Sequence, residues 1–206
     1  MVLPQVRAVL MNRCNHSALL ILAGLAGSYW AFVGLWALPL LLTKDIPMHT
    51  AVLNISGMMA CYAVGAPIFG WIGDRFRQHA MTLSAACAGA VVCWTVIASG
   101  VTLSPAPLAL VLFALGFFSS GFHLAFAIIT ERNPIEHAGT STSYINIGTF
   151  LGAAVTQTIG AVSGGGDVTS ACVLPMAIAS LVALVTSAKL WPRRAPSLAS
   201  ALPATR

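Results

Sequence analysis

Long stretches without a charged side chain alternate along the chain with short segments that carry the charges. The uncharged stretches run from Arg13 to Lys44, Asp45 to Asp74, Arg77 to Glu131, Glu136 to Asp167 and Asp167 to Lys189. A helix that crosses a bilayer needs about 20 predominantly apolar residues. Four of the stretches have room for one such helix. The longest has room for two, and a turn-forming cluster, Ser104-Pro105-Ala106-Pro107, divides it.

This pattern predicts an all-α polytopic membrane protein with six transmembrane helices. The predicted spans cover approximately residues 18–42, 51–73, 80–100, 107–130, 140–163 and 170–191. Helices are preferred to a barrel because the runs are continuously apolar, whereas a membrane strand alternates over about ten residues. Residues 1–17 are predicted to be a cytoplasmic N-terminal segment and residues 192–206 a disordered cytoplasmic tail, rich in Ala, Ser and Pro.

Composition and charge agree with a lipid environment. Only 7% of the residues are charged and 58% are hydrophobic, whereas soluble domains carry roughly 25% charged residues. In the predicted topology one side of the membrane receives nine of the ten Lys and Arg residues and the other side receives only Lys44. The positive-inside rule then places both termini in the cytoplasm. The net charge of +5 is explained by an anionic inner leaflet, so the predicted partner is the lipid bilayer and not nucleic acid.

The sequence offers no recognisable catalytic or metal-binding motif. None of the five cysteines forms a CxxC pair, so they are interpreted as packing residues and no metal or cofactor is predicted. Ser119 or Ser120 with His123 suggests a hydrolase only superficially, since these residues share one helix and no Gly-x-Ser-x-Gly elbow is present. We therefore do not expect an enzyme.

The segment Gly70 to His79, GWIGDRFRQH, concentrates charge between the second and third predicted spans. Gly70, Asp74 and Arg75 fall on a pattern that resembles the signature loop of the major facilitator superfamily, although Arg77 stands where that family has glycine. The resemblance implies a cytoplasmic latch of Gly70, Asp74, Arg75 and Arg77 that joins helix ends and favours one access state. The alternative is a simple turn anchor without a conformational role.

Two further segments resemble the same family. Phe32 to Leu42 carries Trp36 and Pro39 and resembles its seventh span, and Asn133 to Ala154 resembles the entry into its eleventh span. The resemblance implies the C-terminal six-helix half of a secondary transporter in a bacterial plasma membrane. Such a half would move a small solute by alternating access together with a second half or in a homodimer. The alternative is a truncated remnant or a structural membrane subunit without transport activity of its own.

Candidate path residues follow from the resemblance, which implies that spans 1, 2, 4 and 5 line a central cavity. Polar side chains within a membrane are costly and tend to face such a cavity. The candidates are His123, Ser119, Asn146, Gln157, Asn54, Tyr29 and Trp36. For each of them, hydrogen bonding or packing between helices is the alternative role. The middles of the predicted spans carry no Asp, Glu, Lys or Arg, so a coupling carboxylate is expected in the second half of the transporter. The alternative is a uniporter or an exchanger.

Overall fold

A computed structural model describes residues 2–162 and 172–191. Its regular structure is entirely helical within these ranges, which confirms the all-α prediction. The helices are α1 (Val2–Met11), α2 (Arg13–Leu42), α3 (Met48–Phe76), α4 (His79–Ala98), α5 (Pro105–Arg132), α6 (Ile135–Val162) and α7 (Leu174–Leu190). The predicted tail 192–206, and the junction of the fifth and sixth predicted spans at residues 163–171, lie outside the described residues.

Five helices, α2 to α6, are long and apolar enough to cross a membrane. The sixth predicted span corresponds to α7, a shorter apolar helix whose described part begins after the undescribed segment. The observed α2 begins earlier than the predicted first span because Asn12 caps it: its side-chain oxygen accepts a hydrogen bond from the backbone N–H of Cys14 at 3.0 Å. Helix α3 ends at Arg77, whose φ of 52° is left-handed.

Two of the long helices depart from α-helical geometry near their middles. In α2 the segments Leu22–Gly27 and Phe32–Trp36 are π-helical, and Tyr29 lies between them. The second segment precedes Pro39, which has no N–H for the helical ladder. In α5 the turn Ser120–Phe122 is 3₁₀-helical and directly precedes His123. Such departures from α-helical geometry inside a helix often mark functional positions.

Close approaches of helix backbones at small residues build the bundle. A side chain on Gly148 or Gly152 of α6 would overlap the backbone of α2 at Leu19 or Ala23. On the other side of the bundle, Gly116 of α5 abuts the backbone of Met58 on α3. Gly148 and Gly152 are four residues apart, a spacing typical of close helix packing, and the helix that they contact belongs to the same chain. Without a hydrophobic drive in lipid, small residues let dispersion contacts hold helices together.

The helices form two consecutive three-helix sets, α2 to α4 and α5 to α7, and each set packs on helices of the other. Helix α3 packs mainly on α5, and α6 packs mainly on α2, while α4 packs on both α5 and α7. The second long helix of each three-helix set therefore lies against the first helix of the other set. Phe32 of α2 reaches Trp94 of α4 in an edge-to-face contact with centroids 5.1 Å apart, and both rings are fully buried. This packing brings α2, α3 and α5 together around the candidate residues.

Candidate functional site

Aromatic side chains from α2, α3 and α5 meet in a continuous group. The ring of Tyr29 on α2 stacks on that of Tyr62 on α3, with centroids 4.7 Å apart and planes 10° apart. Trp30 packs edge-on against both rings. From α5, Phe122 and His123 approach Tyr62 with centroid distances of 6.2 and 5.8 Å. We call Tyr29, Trp30, Tyr62, Phe122 and His123 the aromatic cluster.

His123 is held in one orientation at the exposed edge of the aromatic cluster. Its Nδ1 lies 2.8 Å from the carbonyl oxygen of Ser120. Because a carbonyl can only accept, Nδ1 carries the proton and donates. The described residues provide no partner for Nε2, and the residue is exposed, although it lies well inside an apolar helix. The imidazole therefore presents a hydrogen-bonding nitrogen, an acceptor when the ring is neutral, outside the packed bundle.

Several predicted path residues carry buried polar atoms that have no hydrogen-bond partner among the described residues. These are the hydroxyls of Tyr29 and Ser119, the amide nitrogen of Asn54 and the indole nitrogen of Trp36. Tyr29 and Ser119 are completely buried and Asn54 nearly so. Buried polar atoms are paired in most proteins, so each exception calls for a physical reason. Each of these atoms therefore remains free to donate a hydrogen bond.

The two amides predicted on α6 lie away from its packed face. Asn146 and Gln157 are eleven residues apart, which is close to three helical turns, and Gly148 and Gly152 mark the face of α6 that contacts α2. Asn146 is exposed and Gln157 is half-buried. Neither side chain hydrogen-bonds a neighbouring helix within the described part of the chain. The alternative role of joining helices is thus not seen for either amide.

Trp36 lies at the end of the α2–α6 contact that is farther from Gly148. A side chain on Gly160 would lie 2.8 Å from its ring, so the indole occupies the space that a larger residue on α6 would need. The ring is half-buried and belongs to the second π-helical segment of α2. This contact shows packing for the ring, while the indole N–H stays without a partner among the described residues.

At the other end of the bundle an ion cluster joins three helices. His79, at the start of α4, lies between two carboxylates: its Nε2 is 2.9 Å from Asp74 on α3, and its Nδ1 is 3.2 Å from Glu131 on α5. The imidazole is mostly buried, whereas both carboxylates are mostly exposed. A ring with carboxylates at both nitrogens donates to both only as an imidazolium. We call Asp74, His79 and Glu131 the ion cluster.

The structure corrects part of the expected packing around Asp74. From the sequence, Gly70 and Gly73 are both expected to let the end of α3 approach a neighbour, but a side chain on Gly70 would meet no atom within 4 Å. Gly73 fills that role, since a side chain on it would lie 3.0 Å from Leu124 and would overlap the ring of His79. Arg75 and Arg77 are exposed, and their guanidinium groups make no hydrogen bond or ion pair within the described ranges. Asp74 is therefore paired with His79 and not with either arginine.

Sequence reasoning missed the partners that connect helices. Tyr62 and Phe122 complete the aromatic cluster, and Glu131 completes the ion cluster; none was singled out. An asparagine group was missed too: the Asn133 amide donates to Asn15 at 2.9 Å, and that of Asn12 donates to Asn133 at 3.0 Å. Only the positions of these residues could have indicated the contacts. Glu131 and Asn133 lie at the end of the fourth span, and Asn12 and Asn15 lie near the start of the first.

The fold and these groups of residues describe a helical integral membrane protein with polar and aromatic side chains gathered between its spans. In a comparison with family models, residues 18–206 match the Major Facilitator Superfamily. Because the match covers most of the chain, the protein belongs to the Major Facilitator Superfamily, a family of secondary transporters. A comparison with curated proteins finds no match. The resemblance seen in the sequence is thus confirmed at the level of the family.

Proposed function

We propose that this chain is a six-helix transporter half that moves a small solute across a bacterial plasma membrane by alternating access. Helices α2 to α7 would be the six spans, with both termini in the cytoplasm. The distribution of Lys and Arg supports this orientation, since Lys44 alone falls on the opposite side. The length and apolar character of α2 to α6 support five of the spans directly.

The observation that carries the proposal is the aromatic cluster with its exposed imidazole. A histidine facing hydrocarbon would leave a polar nitrogen unsatisfied at a cost of several kcal/mol, on the order of that for any unpaired polar group in an apolar medium. A water-filled path, or a solute in it, removes that cost. Helices α2, α3 and α5 converge there, and Tyr29, Ser119 and Asn54 provide further unpartnered polar atoms on the same helices.

A second six-helix half or a second copy of this chain would complete the path. Trp30, His123 and Asn146 are exposed on α2, α5 and α6 respectively, three helices that the proposal assigns to the cavity. Rocking of one bundle against another around a central site is the usual way to alternate access. The ion cluster would then act as a cytoplasmic latch, holding the ends of α3, α4 and α5 together in one access state.

Cysteine accessibility tests the path without knowledge of the solute. In a background whose native cysteines are replaced by alanine, His123→Cys is expressed in membrane vesicles and treated with a charged, membrane-impermeant thiosulfonate. Such reagents modify thiols in water and not in hydrocarbon. We expect His123→Cys to react, and Val92→Cys to stay unmodified. Val92 is a matched control because it is 62% exposed on α4, the helix that packs behind α5.

The outcomes separate the two functional alternatives. Modification of His123→Cys from both faces of the membrane supports alternating access. If His123→Cys reacts from neither face while a cysteine at the exposed loop residue Gln78 reacts normally, the path is rejected. That result would favour a remnant or structural subunit. Lys44→Cys reports orientation in the same assay: it is expected to react from outside intact cells, and reaction only from the cytosolic face would overturn the proposed topology.

A further inference from the structure

A cationic crevice opens at the end of the bundle where α2 begins and where α5 and α7 end. Its volume is about 890 Å³, which is comparable to the sites that hold drug-sized ligands. It is separate from the aromatic cluster, and its walls share no residue with that cluster or with the ion cluster. Neither the family resemblance nor the transport proposal assigns it a role.

Each of the three helices contributes one cation to the crevice. Arg13 comes from the first turn of α2, Arg132 from the last turn of α5 and Lys189 from the end of α7. Among the residues that the structure describes, no carboxylate lines the crevice. The nearest acid in sequence, Glu131, faces His79 in the ion cluster at 3.2 Å. Three positive charges converge there without a counter-ion from the described residues.

Arg132 is the best-positioned of the three cations. One of its terminal amino groups donates to the carbonyl of Leu190, and the other points to the sulfur of Cys14 at 3.6 Å. These contacts fix the half-buried guanidinium between α2 and α7 and occupy two of its five N–H donors. The remaining donors have no acceptor among the described residues. A fixed arginine with spare donors suits the oxygens of a phosphate group.

The other walls combine a hydrogen-bonded histidine with apolar side chains. His16 is held by two contacts: its Nε2 donates to the Leu10 carbonyl at 2.7 Å, and its Nδ1 lies 2.8 Å from the Tyr144 hydroxyl. Leu20 is 44% exposed and lies one to two turns further into the apolar part of α2. At the outer edge, the indole of Trp191 is anchored to Ser84 at 2.9 Å. A tryptophan at this depth is typical of the membrane–water interface.

We propose that this crevice binds a phosphate group, supplied by the headgroup of an anionic phospholipid or by a soluble phosphate ester. Three cations, with no carboxylate among the described lining residues, select for negative charge. Basic pockets between the ends of transmembrane helices are suited to lipid headgroups. The apolar wall at Leu20 and the interfacial Trp191 would let an acyl chain leave the crevice along α2.

Native mass spectrometry of the purified full-length protein tests the proposal with defined lipids. Phosphatidylglycerol and phosphatidylcholine are added in turn, since both carry a phosphate but only the first is anionic overall. We expect retention of phosphatidylglycerol in preference to phosphatidylcholine. The substitutions Arg13→Gln, Arg132→Gln and Lys189→Gln should each weaken the affinity for phosphatidylglycerol about fivefold.

The control variant is Arg7→Gln, which removes the same charge from the exposed face of α1 outside the crevice. It should bind phosphatidylglycerol as the unmodified protein does. If Arg132→Gln does not fold, the double variant Arg13→Gln/Lys189→Gln keeps the test valid, because both side chains are exposed. The double variant is expected to bind roughly 25-fold more weakly if the two cations act independently.

A competition arm identifies the source of the phosphate. Displacement of bound phosphatidylglycerol by millimolar inorganic phosphate or glycerol 3-phosphate assigns the crevice to soluble phosphate compounds. Retention of the lipid under those conditions assigns it to the phospholipid headgroup. The proposal is overturned if the two lipids bind equally, or if Arg7→Gln weakens binding as much as the crevice variants do.

Discussion

Replacement of Gly152 by alanine tests how closely α2 and α6 are packed. A β-carbon on Gly152 would lie 2.6 Å from the Cα and the carbonyl carbon of Ala23. Ordinary van der Waals contacts of such atoms begin near 3.4 Å. The obstacle is the backbone of α2, which cannot rotate away as a side chain could. The two helices would therefore have to separate at the point where Gly148 and Gly152 hold them together.

The distance by which α2 and α6 must separate determines how much the free energy of unfolding falls. A gap of 0.5 to 1 Å forfeits roughly a quarter to a half of the dispersion energy of each contact across it. Overpacking of a well-packed interior costs about 1–3 kcal/mol, and we expect Gly152→Ala to lower the free energy of unfolding by that amount. Gly70→Ala is the matched control, since its β-carbon would meet no atom within 4 Å. It should be neutral or stabilising by roughly 0.5–1 kcal/mol, because alanine favours the helix.

Both variants can be unfolded in dodecyl maltoside micelles by titration with sodium dodecyl sulfate, with helicity followed by circular dichroism. The quantity compared is the free energy of unfolding of each variant relative to the unmodified protein. Gly152→Ala should unfold at a lower mole fraction of sodium dodecyl sulfate than Gly70→Ala. Equal stability of the two variants would refute the reasoning, since it would mean that α2 and α6 do not approach each other at Gly152 as described.

Other substitutions test the groups of polar residues. Asn133→Ala should destabilise the protein by about 1–3 kcal/mol, because the Oδ1 of the buried Asn15 loses its donor. Asn146→Ala removes an exposed side chain without a helix partner among the described residues and should have no measurable effect in the same titration. His79→Ala should increase hydrogen exchange at the amides of residues 74–80, since it removes both contacts of the ion cluster, whereas Arg75→Ala should leave that exchange unchanged. If solute uptake is measured, Asp74→Asn should alter it without loss of membrane insertion, and unchanged uptake would count against the latch.

The clusters illustrate how far sequence reasoning reached. The pattern of one loop singled out Asp74 as part of a helix-end latch, and that role stays a prediction. In the structure the Asp74 carboxylate contacts His79. Its partners could not be inferred, because His79 and Glu131 are 52 residues apart in the chain and meet only when α3, α4 and α5 pack. The assignment of close packing to both Gly70 and Gly73 holds only for Gly73, for a related reason. Spacing identifies small residues, but the rotation of the helix decides which one faces a neighbour.

The sequence by itself determined that this chain is helical, that lipid is its solvent and that it belongs to a transporter family. These properties depend on composition, on the length of uncharged stretches and on short motifs, all of which are local. The tertiary structure alone decided that α6 packs on α2 and α3 on α5, that Tyr62 links Tyr29 to His123, and that three cations surround one crevice. Such groupings come from contacts between distant segments, where a rotation of a helix by one residue exchanges a buried side chain for an exposed one.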